Sequence, residues 1–242
     1  MTPDARTIQE SACEQVLFDP ELVIDPTRAL FDPAAWGECA TAHTEGRGTV
    51  WQLESGEGRW ILKRYLRGGL VARVVSDRYF FMGYERTRMA REFRLLCSLC
   101  EMRLPVPRPV AAFIRRSGPA LYAGSLITQY LEGAQSLSSL IRSGHLSHAS
   151  WAAVGNTIRR FHDRGVIHRD LNASNILLSG GEVHLIDFDK GRLATASTND
   201  SWKQVNLERL RRSLEKISTG QGSELGDHWK TLISAYAEPS SG

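Results

Sequence analysis

The chain has 242 residues, of which 42% are hydrophobic and 24% are charged, and its formal net charge is +3. This length and composition indicate an ordinary globular protein with a substantial core and exclude a small domain held together by disulfides. The sequence has no apolar run of about 20 residues that could span a bilayer. Its polar start, MTPDARTIQE, is unlike a secretory signal. We therefore expect cytoplasmic residence with reduced cysteines, and no nucleic-acid partner.

The first half of the chain predicts a sheet. Residues 1–42 contain several prolines and little periodicity, which predicts an irregular leader with at most one short strand. The runs TVWQLE and RWILKRY flank the turn cluster SGEG and predict a hairpin. A helix around Phe93 follows and ends at the prolines of LPVPRP. VAAFIRRS and LYAGSLITQYL then predict another strand pair, so residues 43–132 form a sheet-rich lobe.

Residues 133–242 predict a mostly helical lobe. HASWAAVGNTIRRFHDRG has apolar residues at helical spacing and is closed by Gly165. The runs NILL and VHLIDF flank the turn SGGE and predict a hairpin. Similar spacing predicts two further helices, which extend to Ile217 and Tyr236. The expected fold class is α+β with two lobes, and the polar loops lie at their junction.

Cys97 and Cys100 form a C-x-x-C that could indicate a zinc or redox site. They lie in AREFRLLCSLCEM, where apolar residues recur at helical spacing, and no second cysteine or histidine pair follows at a suitable distance. We therefore predict that both belong to a core helix.

Three polar residues stand out in the stretch IHRDLNASNILLSGGEVHLIDFDKGR. Asp170 and Asn175 are five residues apart, and Asp187 lies beyond the predicted hairpin. Closure of that hairpin would bring Asn175 and Asp187 together as oxygen ligands for Mg²⁺ carrying the phosphates of ATP. Asp170 could then orient or deprotonate an attacking hydroxyl.

This arrangement is that of protein-kinase-like enzymes, H-R-D-x-x-x-x-N followed by D-F-G. Here the motifs read HRDLNASN and DFD, so Asp189 replaces the glycine. The alternative is that these polar residues only cap turns or face solvent. Against it, an acid within the apolar run VHLIDF is costly unless it binds something. A non-glycine at position 189 should restrict movement of the loop, and Asp189 could assist the metal.

The first half offers residues that could hold the phosphates. Gly46 and Gly48, in EGRGTV, could bring backbone amides close to phosphate oxygens, although this signal alone is weak. Lys63, in WILKRY, corresponds to the strand lysine that contacts the α and β phosphates. Glu92 is the favoured partner for Lys63 because it lies within the regular apolar helix pattern, and Glu85 is the competitor.

A peptide substrate is not favoured, because the long segment and A-P-E signature that follow D-F-G in protein kinases are missing. Four segments instead resemble the 3-deoxy-D-manno-octulosonic acid (Kdo) kinases of lipopolysaccharide synthesis: GRGTVW, RGGLVARVVSDRYFFMGYERTRMAREFRLL, LPVPRPVAA and DLNASNILL. The resemblance implies ATP-dependent phosphorylation of the 4-hydroxyl of Kdo on a Kdo–lipid A precursor. It also implies a peripheral protein at the cytoplasmic face of the bacterial inner membrane, with no known protein partner.

The segment between Lys63 and Glu92 is basic and aromatic. Its arginines could bind anionic lipid or sugar groups, while Phe80 and Phe81 contact an apolar boundary. The alternative is a solvated basic loop whose aromatic residues pack on the lobe. The arginines concerned are Arg67, Arg73, Arg78, Arg86 and Arg88.

Three other functions stay open at this point. The lipopolysaccharide core heptose kinases share the scaffold, and an aminoglycoside- or choline-type kinase would also have a short segment after the metal loop. An acidic acceptor surface, expected of the latter type, conflicts with the basic segment found here. A pseudokinase would usually lack a residue for the metal or the base, and the sequence retains all of them.

Overall fold

The structure is a computed structural model that describes residues 3, 5–45, 48–56, 58–65, 79–118, 121–144, 146–217 and 222–238. Two compact units make up the chain. The N-terminal unit comprises residues 1–101 and 107–130, and the C-terminal unit comprises residues 102–106 and 131–242.

An antiparallel sheet dominates the N-terminal unit. Its strands follow the order β1-β2-β7-β8-β5-β4-β3, and the short β6 also pairs with β8. The strands are β1 (Arg6–Ser11), β2 (Glu14–Phe18), β3 (Ala40–Glu45), β4 (Gly48–Ser55), β5 (Gly58–Arg64), β6 (Tyr79–Phe80), β7 (Pro109–Ser117) and β8 (Leu121–Gln129). Both hairpins predicted from the sequence, β4–β5 and β7–β8, are confirmed.

The alternation of side chains along β5 assigns its two faces. Trp60 and Leu62 are buried in an apolar cluster on one face. Lys63 belongs to the opposite face, because successive side chains of a strand point to opposite sides of the sheet. The same strand therefore supplies both the core and a functional face.

The leader differs from the predicted irregular segment. Residues 6–18 form the hairpin β1–β2, and β2 pairs with β7 at the edge of the sheet. Residues 19–39 then supply apolar side chains to the cluster, among them Val23 and Phe31. Asp19, fully buried, accepts a hydrogen bond of 2.7 Å from Arg108. The physical reason is that sparse apolar residues without periodicity can still cover a sheet when turns direct them to one face.

The N-terminal unit contains one long helix and several short helical turns. They are α1 (Pro33–Trp36), α2 (Arg88–Glu101) and 3₁₀ turns at Arg28–Phe31, Gly37–Cys39 and Tyr84–Arg86. Helix α2 packs against β7 and β8. Cys97 is buried within it, and burial raises the pKa of the Cys97 thiol to about 12 and that of Cys100 to about 11. The predicted core helix is therefore confirmed, and both thiols stay protonated at neutral pH.

Helices dominate the C-terminal unit. They are α3 (Leu137–Ser143), α4 (His148–Asp163), α5 (Ser201–Ile217) and α6 (Gly222–Ala237), with a 3₁₀ turn at Ala173–Asn175. Its short strands are β9 (Gln135–Ser136), β10 (Val166–Ile167), β11 (Ile176–Ser179), β12 (Glu182–Leu185) and β13 (Arg192–Leu193). Helices α4, α5 and α6 and the hairpin β11–β12 confirm the predictions, whereas α3 was not expected.

Helices α4 and α6 approach closely at Gly155. A Cβ atom at this position would lie 2.2 Å from the carbonyl oxygen of Leu232 and 3.1 Å from the backbone nitrogen of Tyr236. Both contacts are with backbone, which cannot rotate away as a side chain can. The absence of a side chain at Gly155 therefore sets the distance between the two helices.

We expect Gly155→Ala to lower the free energy of unfolding by about 1–3 kcal/mol, because the added methyl group forces α4 and α6 apart. The matched control is Gly226→Ala in α6, where a Cβ atom meets nothing within 4 Å. That control should gain about 0.5–1 kcal/mol from helix propensity. Urea unfolding followed by circular dichroism measures both. An unfolding midpoint for Gly155→Ala at or above that of the wild type would contradict the prediction.

Candidate active site

Lys63 and Glu92 are brought together in the N-terminal unit. Lys63 lies on β5, and its Nζ is 3.9 Å from Oε2 of Glu92 on α2. Glu92 is only 2% exposed, and the Tyr65 hydroxyl also donates a hydrogen bond to its Oε2. A buried carboxylate needs such partners, because transfer of an unpaired charge from water is very costly. The pair therefore holds the lysine on the face of β5 opposite the apolar cluster.

Aromatic contact also fixes the position of this lysine. Nζ of Lys63 lies 5.0 Å from the centre of the Tyr65 ring, and the guanidinium of Arg88 lies 5.4 Å from the same ring. Cations within about 6 Å of an aromatic face are attracted to it. Tyr65 thus contacts the lysine and the glutamate of the pair at the same time, a role the sequence did not indicate.

Glu85 has a different partner from the one considered in the sequence. Its two carboxylate oxygens accept hydrogen bonds of 2.6 and 2.7 Å from Arg94, and both side chains are substantially exposed. Of the two candidates, Glu92 is therefore the glutamate next to Lys63.

The predicted glycine turn and basic segment are described only in part. Gly46 lies outside the described residues, and Gly48 is the first residue of β4, where it pairs with Glu45. Three of the five arginines, Arg67, Arg73 and Arg78, also lie outside the described residues.

The described end of that segment exposes apolar side chains. Phe80 is 70% exposed and Met82 is 68% exposed. Phe81 packs edge-on against Tyr84, with the ring centres 5.0 Å apart, and the guanidinium of Arg116 lies 5.5 Å from its ring centre. This packing agrees with the alternative in which aromatic residues of the segment pack on the lobe.

The hairpin of β11 and β12 places Asn175 beside the segment that carries Asp187. Ile176 pairs with Leu185, and the Ile186 amide donates a 3.1 Å hydrogen bond to the Asn175 carbonyl. Asn175 and Asp187 thus lie at the same end of the hairpin, and their joint role as metal ligands stays a prediction.

His168 connects the two polar loops of the C-terminal unit. Its ring is 2% exposed, with Nε2 2.9 Å from the Ile186 carbonyl oxygen and Nδ1 3.3 Å from the Asp170 amide nitrogen. These contacts require a proton on Nε2 and a lone pair on Nδ1, which is a neutral ring. Burial lowers the pKa of His168, so the neutral form is the stable one at neutral pH.

Asp170 and Asn175 share a network of hydrogen bonds. The Asn175 side-chain amide donates to the Asp170 carbonyl at 2.9 Å, and that of Asn172 donates to the same oxygen at 3.0 Å. Asn172 Oδ1 also accepts from the Ser174 and Asn175 amides at 2.9 and 3.2 Å, and so caps the 3₁₀ turn. Because the nitrogen of Asn175 is directed at a carbonyl, its Oδ1 is the atom that can coordinate a cation.

The carboxylate of Asp170 is held from α5. Nη1 of Arg209 donates to Oδ1 of Asp170 at 2.9 Å, and the two side chains are 47% and 33% exposed. A charge-assisted bond of this kind fixes the carboxylate while leaving its second oxygen for another partner. Arg209 could not be predicted from the sequence, because it lies 39 residues after Asp170 on an ordinary amphipathic helix.

Left-handed backbone marks both loops. Arg169 has φ +61° and Asp187 has φ +64°, a backbone region that residues other than glycine seldom adopt. Such conformations cost roughly 1–3 kcal/mol each and cluster at functional sites. Asp189 does not have positive φ and lies in a turn closed by the 2.8 Å bond from the Gly191 amide to the Phe188 carbonyl. The position that replaces glycine therefore needs none of its conformational freedom.

The oxygen atoms at the end of the β11–β12 hairpin suit a hard divalent cation. Asp187 supplies a carboxylate, and Asn175 supplies an amide oxygen whose orientation is fixed. Among the described residues, no group of three or more His, Cys, Asp or Glu side chains is arranged to bind a metal. An ion here would therefore need phosphate oxygens and water as its other ligands, which is how Mg²⁺ is usually held.

Comparisons with known proteins show which family the chain resembles. The model of the lipopolysaccharide kinase (Kdo/WaaP) family matches residues 35–236. The 3-deoxy-D-manno-octulosonic acid kinase of Xylella fastidiosa (strain M12) is 43% identical and covers 88% of this chain and 87% of its own. The kinase of the same name from Xanthomonas oryzae pv. oryzae (strain PXO99A) is 41% identical, over 91% of this chain and 88% of its own.

A solved structure described as WaaP in complex with acyl carrier protein has a TM-score of 0.57 at 17% identity. It covers 97% of this chain and 90% of that chain. This likeness concerns the fold alone, and it confirms the predicted α+β, kinase-like fold class.

Proposed function

The chain belongs to the lipopolysaccharide kinase (Kdo/WaaP) family and is an ATP-dependent kinase, and we propose that its acceptor is the 4-hydroxyl of Kdo on a Kdo–lipid A precursor. The observation that carries this choice of acceptor is the similarity to curated Kdo kinases, at 41–43% identity over about nine-tenths of the chain. The arrangement around Asp170, Asn175 and Asp187 supports the reaction type independently.

We assign the phosphates of ATP to residues of the N-terminal unit. The ammonium of Lys63, kept in place by Glu92 and Tyr65, contacts the α and β phosphates and offsets their charge. The amides of the turn at Gly46 and Gly48 approach the phosphate oxygens. In this assignment, the buried carboxylate of Glu92 serves to hold the ammonium of Lys63 next to the phosphates.

We assign Mg²⁺ to Asn175 and Asp187. When bound, the ion neutralises phosphate charge and orients the transferred group. The fixed amide of Asn175 and the strained backbone at Asp187 support this assignment, since both hold an oxygen ligand in one direction. Asp189 is close in sequence and could add a further oxygen.

Asp170 is the proposed catalytic base. The oxygen of the sugar hydroxyl forms a bond to the γ phosphorus as the bond from that phosphorus to the bridging oxygen of ADP breaks, and the hydroxyl proton passes to the Asp170 carboxylate. Arg209 keeps the carboxylate in one orientation, and the neutral ring of His168 fixes the backbone of the loop. ADP and the phosphorylated sugar are the products.

Peripheral attachment to the cytoplasmic face of the inner membrane is the proposed location. Among the described residues, no helix combines the length and the apolar character needed to cross a bilayer. The exposed side chains of Phe80 and Met82 lie on a segment rich in arginine, a combination that suits the surface of an anionic membrane.

Labelled phosphate from ATP should be transferred to a Kdo-bearing lipid A precursor and not to the same precursor without Kdo. Asp170→Ala should reduce the turnover number by about 10²–10⁴-fold, the usual contribution of a general base, while ATP still binds. The matched control is Asp163→Ala, which removes an exposed carboxylate paired with Arg159 on α4.

Equal labelling of both acceptors would exclude Kdo as the phosphorylated sugar. Preferential labelling of a heptose-bearing acceptor would favour a heptose kinase instead. Undiminished turnover by Asp170→Ala would exclude Asp170 as the base.

Glu92→Gln should lower kcat/KM for ATP by about 10–100-fold, because a charge-assisted interaction worth about 1.5–3 kcal/mol is lost from Lys63. Glu85→Gln is the control, since it removes the same charge from a surface pair with Arg94. Steady-state kinetics with varied ATP measures the effect, and thermal unfolding verifies that both variants are folded. The assignment fails if the two variants lose activity equally.

Replacing Phe80 and Met82 together by serine should weaken binding to vesicles containing anionic phosphatidylglycerol by about tenfold or more. The reason is that two apolar side chains would no longer be buried in the membrane interface. Ile24→Ser is the control, as this isoleucine is 96% exposed and lies in the leader. Cosedimentation with vesicles measures the bound fraction. Binding that is unaffected by the double substitution would argue against membrane contact at this segment.

A further inference from the structure

A basic pocket of about 500 Å³ lies within the C-terminal unit, next to the proposed base. Four of its lining residues are cationic, and none is a carboxylate. The lining comprises Ile167, Arg169, Lys190, Arg192, Ser201, Trp202, Val205, Asn206 and Arg209. Apart from Arg209, which orients Asp170, these residues have no part in the phosphate transfer described above.

Three separate parts of the chain build the pocket. The pairing of β10 with β13 places Arg192 opposite Ile167. The turn at residues 188–191 carries Lys190 beside them. Residues 202, 205, 206 and 209 recur at helical spacing and share one face of α5. The positive charge is thus concentrated by the fold and could not be seen as a run in the sequence.

Arg209 joins the pocket to the catalytic loop. One of its nitrogens, Nη1, donates to Oδ1 of Asp170 at 2.9 Å, and the same guanidinium lines the pocket. A guanidinium has five N–H donors in a rigid plane, so one edge can hold the aspartate while the remaining donors reach an anion. A group bound in the pocket therefore lies within one side chain of the base.

The charge and polarity of the pocket favour an anionic, oxygen-rich occupant. Asp170 offsets only one of the four cations, and like charges held close together repel each other. Ser201 and Asn206 add polar side chains to the lining. An apolar occupant would leave the cationic groups without a partner.

We propose that this pocket binds the carboxylate of the Kdo acceptor and thereby presents its 4-hydroxyl to Asp170. The inference rests on the proposed function and extends it to the residues that select a sugar acid. In Kdo, only one carbon separates the carbon that bears the carboxylate from the carbon that bears the 4-hydroxyl. The two groups can therefore reach the two sides of the Arg209 guanidinium. Lys190 and Arg192 are assigned to the carboxylate, since neither contacts Asp170 in the described structure.

The test compares Lys190→Gln and Arg192→Gln with Arg211→Gln, which removes an equal charge from the exposed face of the same α5. We expect each pocket variant to raise KM for Kdo–lipid A by about tenfold or more and to leave KM for ATP unchanged, since a charge-assisted hydrogen bond to the acceptor is lost. The control should retain the KM of the wild type for both substrates.

A second comparison identifies which anion is bound. The acceptor is prepared with the Kdo carboxylate reduced to an alcohol, and separately with the lipid A phosphates removed. If the carboxylate occupies the pocket, its reduction should weaken the acceptor for the wild type and have little further effect on Arg192→Gln. Such a loss of additivity is the sign of a direct contact.

The outcomes separate this inference from the proposed function. Transfer to Kdo by the wild type, with pocket variants that match the control, would overturn the pocket and leave the function intact. A loss of additivity with the dephosphorylated acceptor instead of the reduced one would assign the pocket to lipid A phosphate and overturn the carboxylate. No transfer to Kdo by the wild type would overturn both.

Discussion

The hydrogen bond between the buried ring of His168 and the Ile186 carbonyl is the contact on which the geometry of the C-terminal unit depends. Nε2 of the ring binds the backbone next to Asp187, and Nδ1 accepts a hydrogen bond from the Asp170 amide. Two backbone segments that are remote in sequence are thereby fixed to one rigid plane. Its burial keeps the ring neutral, so each nitrogen retains its separate role as donor or acceptor.

Helix α5 provides the second support for these loops. Ser213 accepts a 3.1 Å hydrogen bond from the Ala173 amide, and Arg209 holds the Asp170 carboxylate. Arg209 and the residues that precede it on the same face of α5, Val205 and Asn206 among them, line the basic pocket. A single amphipathic helix thus positions the base and, in our proposal, the acceptor. This sharing explains how a short segment after the metal loop can suffice for a sugar substrate.

The sequence predicted most of the elements and the chemistry, for reasons that differ from part to part. Asp170, Asn175 and Asp187 belong to motifs with fixed spacing, whereas Lys63 and Glu92 were predicted from a strand and from a helix with clear periodicity. Their geometry agrees with that expectation, while their catalytic roles stay predictions.

What the sequence did not reveal depends on contacts between distant segments. Tyr65 and Arg209 have unremarkable neighbours in sequence, and only folding brings them to Glu92 and Asp170. The packing of Phe81 could not be predicted, because the register of an irregular segment cannot be read from its composition. The leader was underestimated for a related reason, since its apolar residues are spaced by turns and not by a helical or strand period.

The leader is an integral part of the N-terminal unit. Residues 19–39 cover one face of the sheet and are tied to it by the buried pair of Asp19 and Arg108. A shortened chain that starts near residue 43 would present Trp60, Leu62 and their apolar neighbours to water. Exposed apolar strands associate with other chains, so we expect deletion of this segment to make the sheet prone to aggregation. The leader thus contributes to the solubility of the protein.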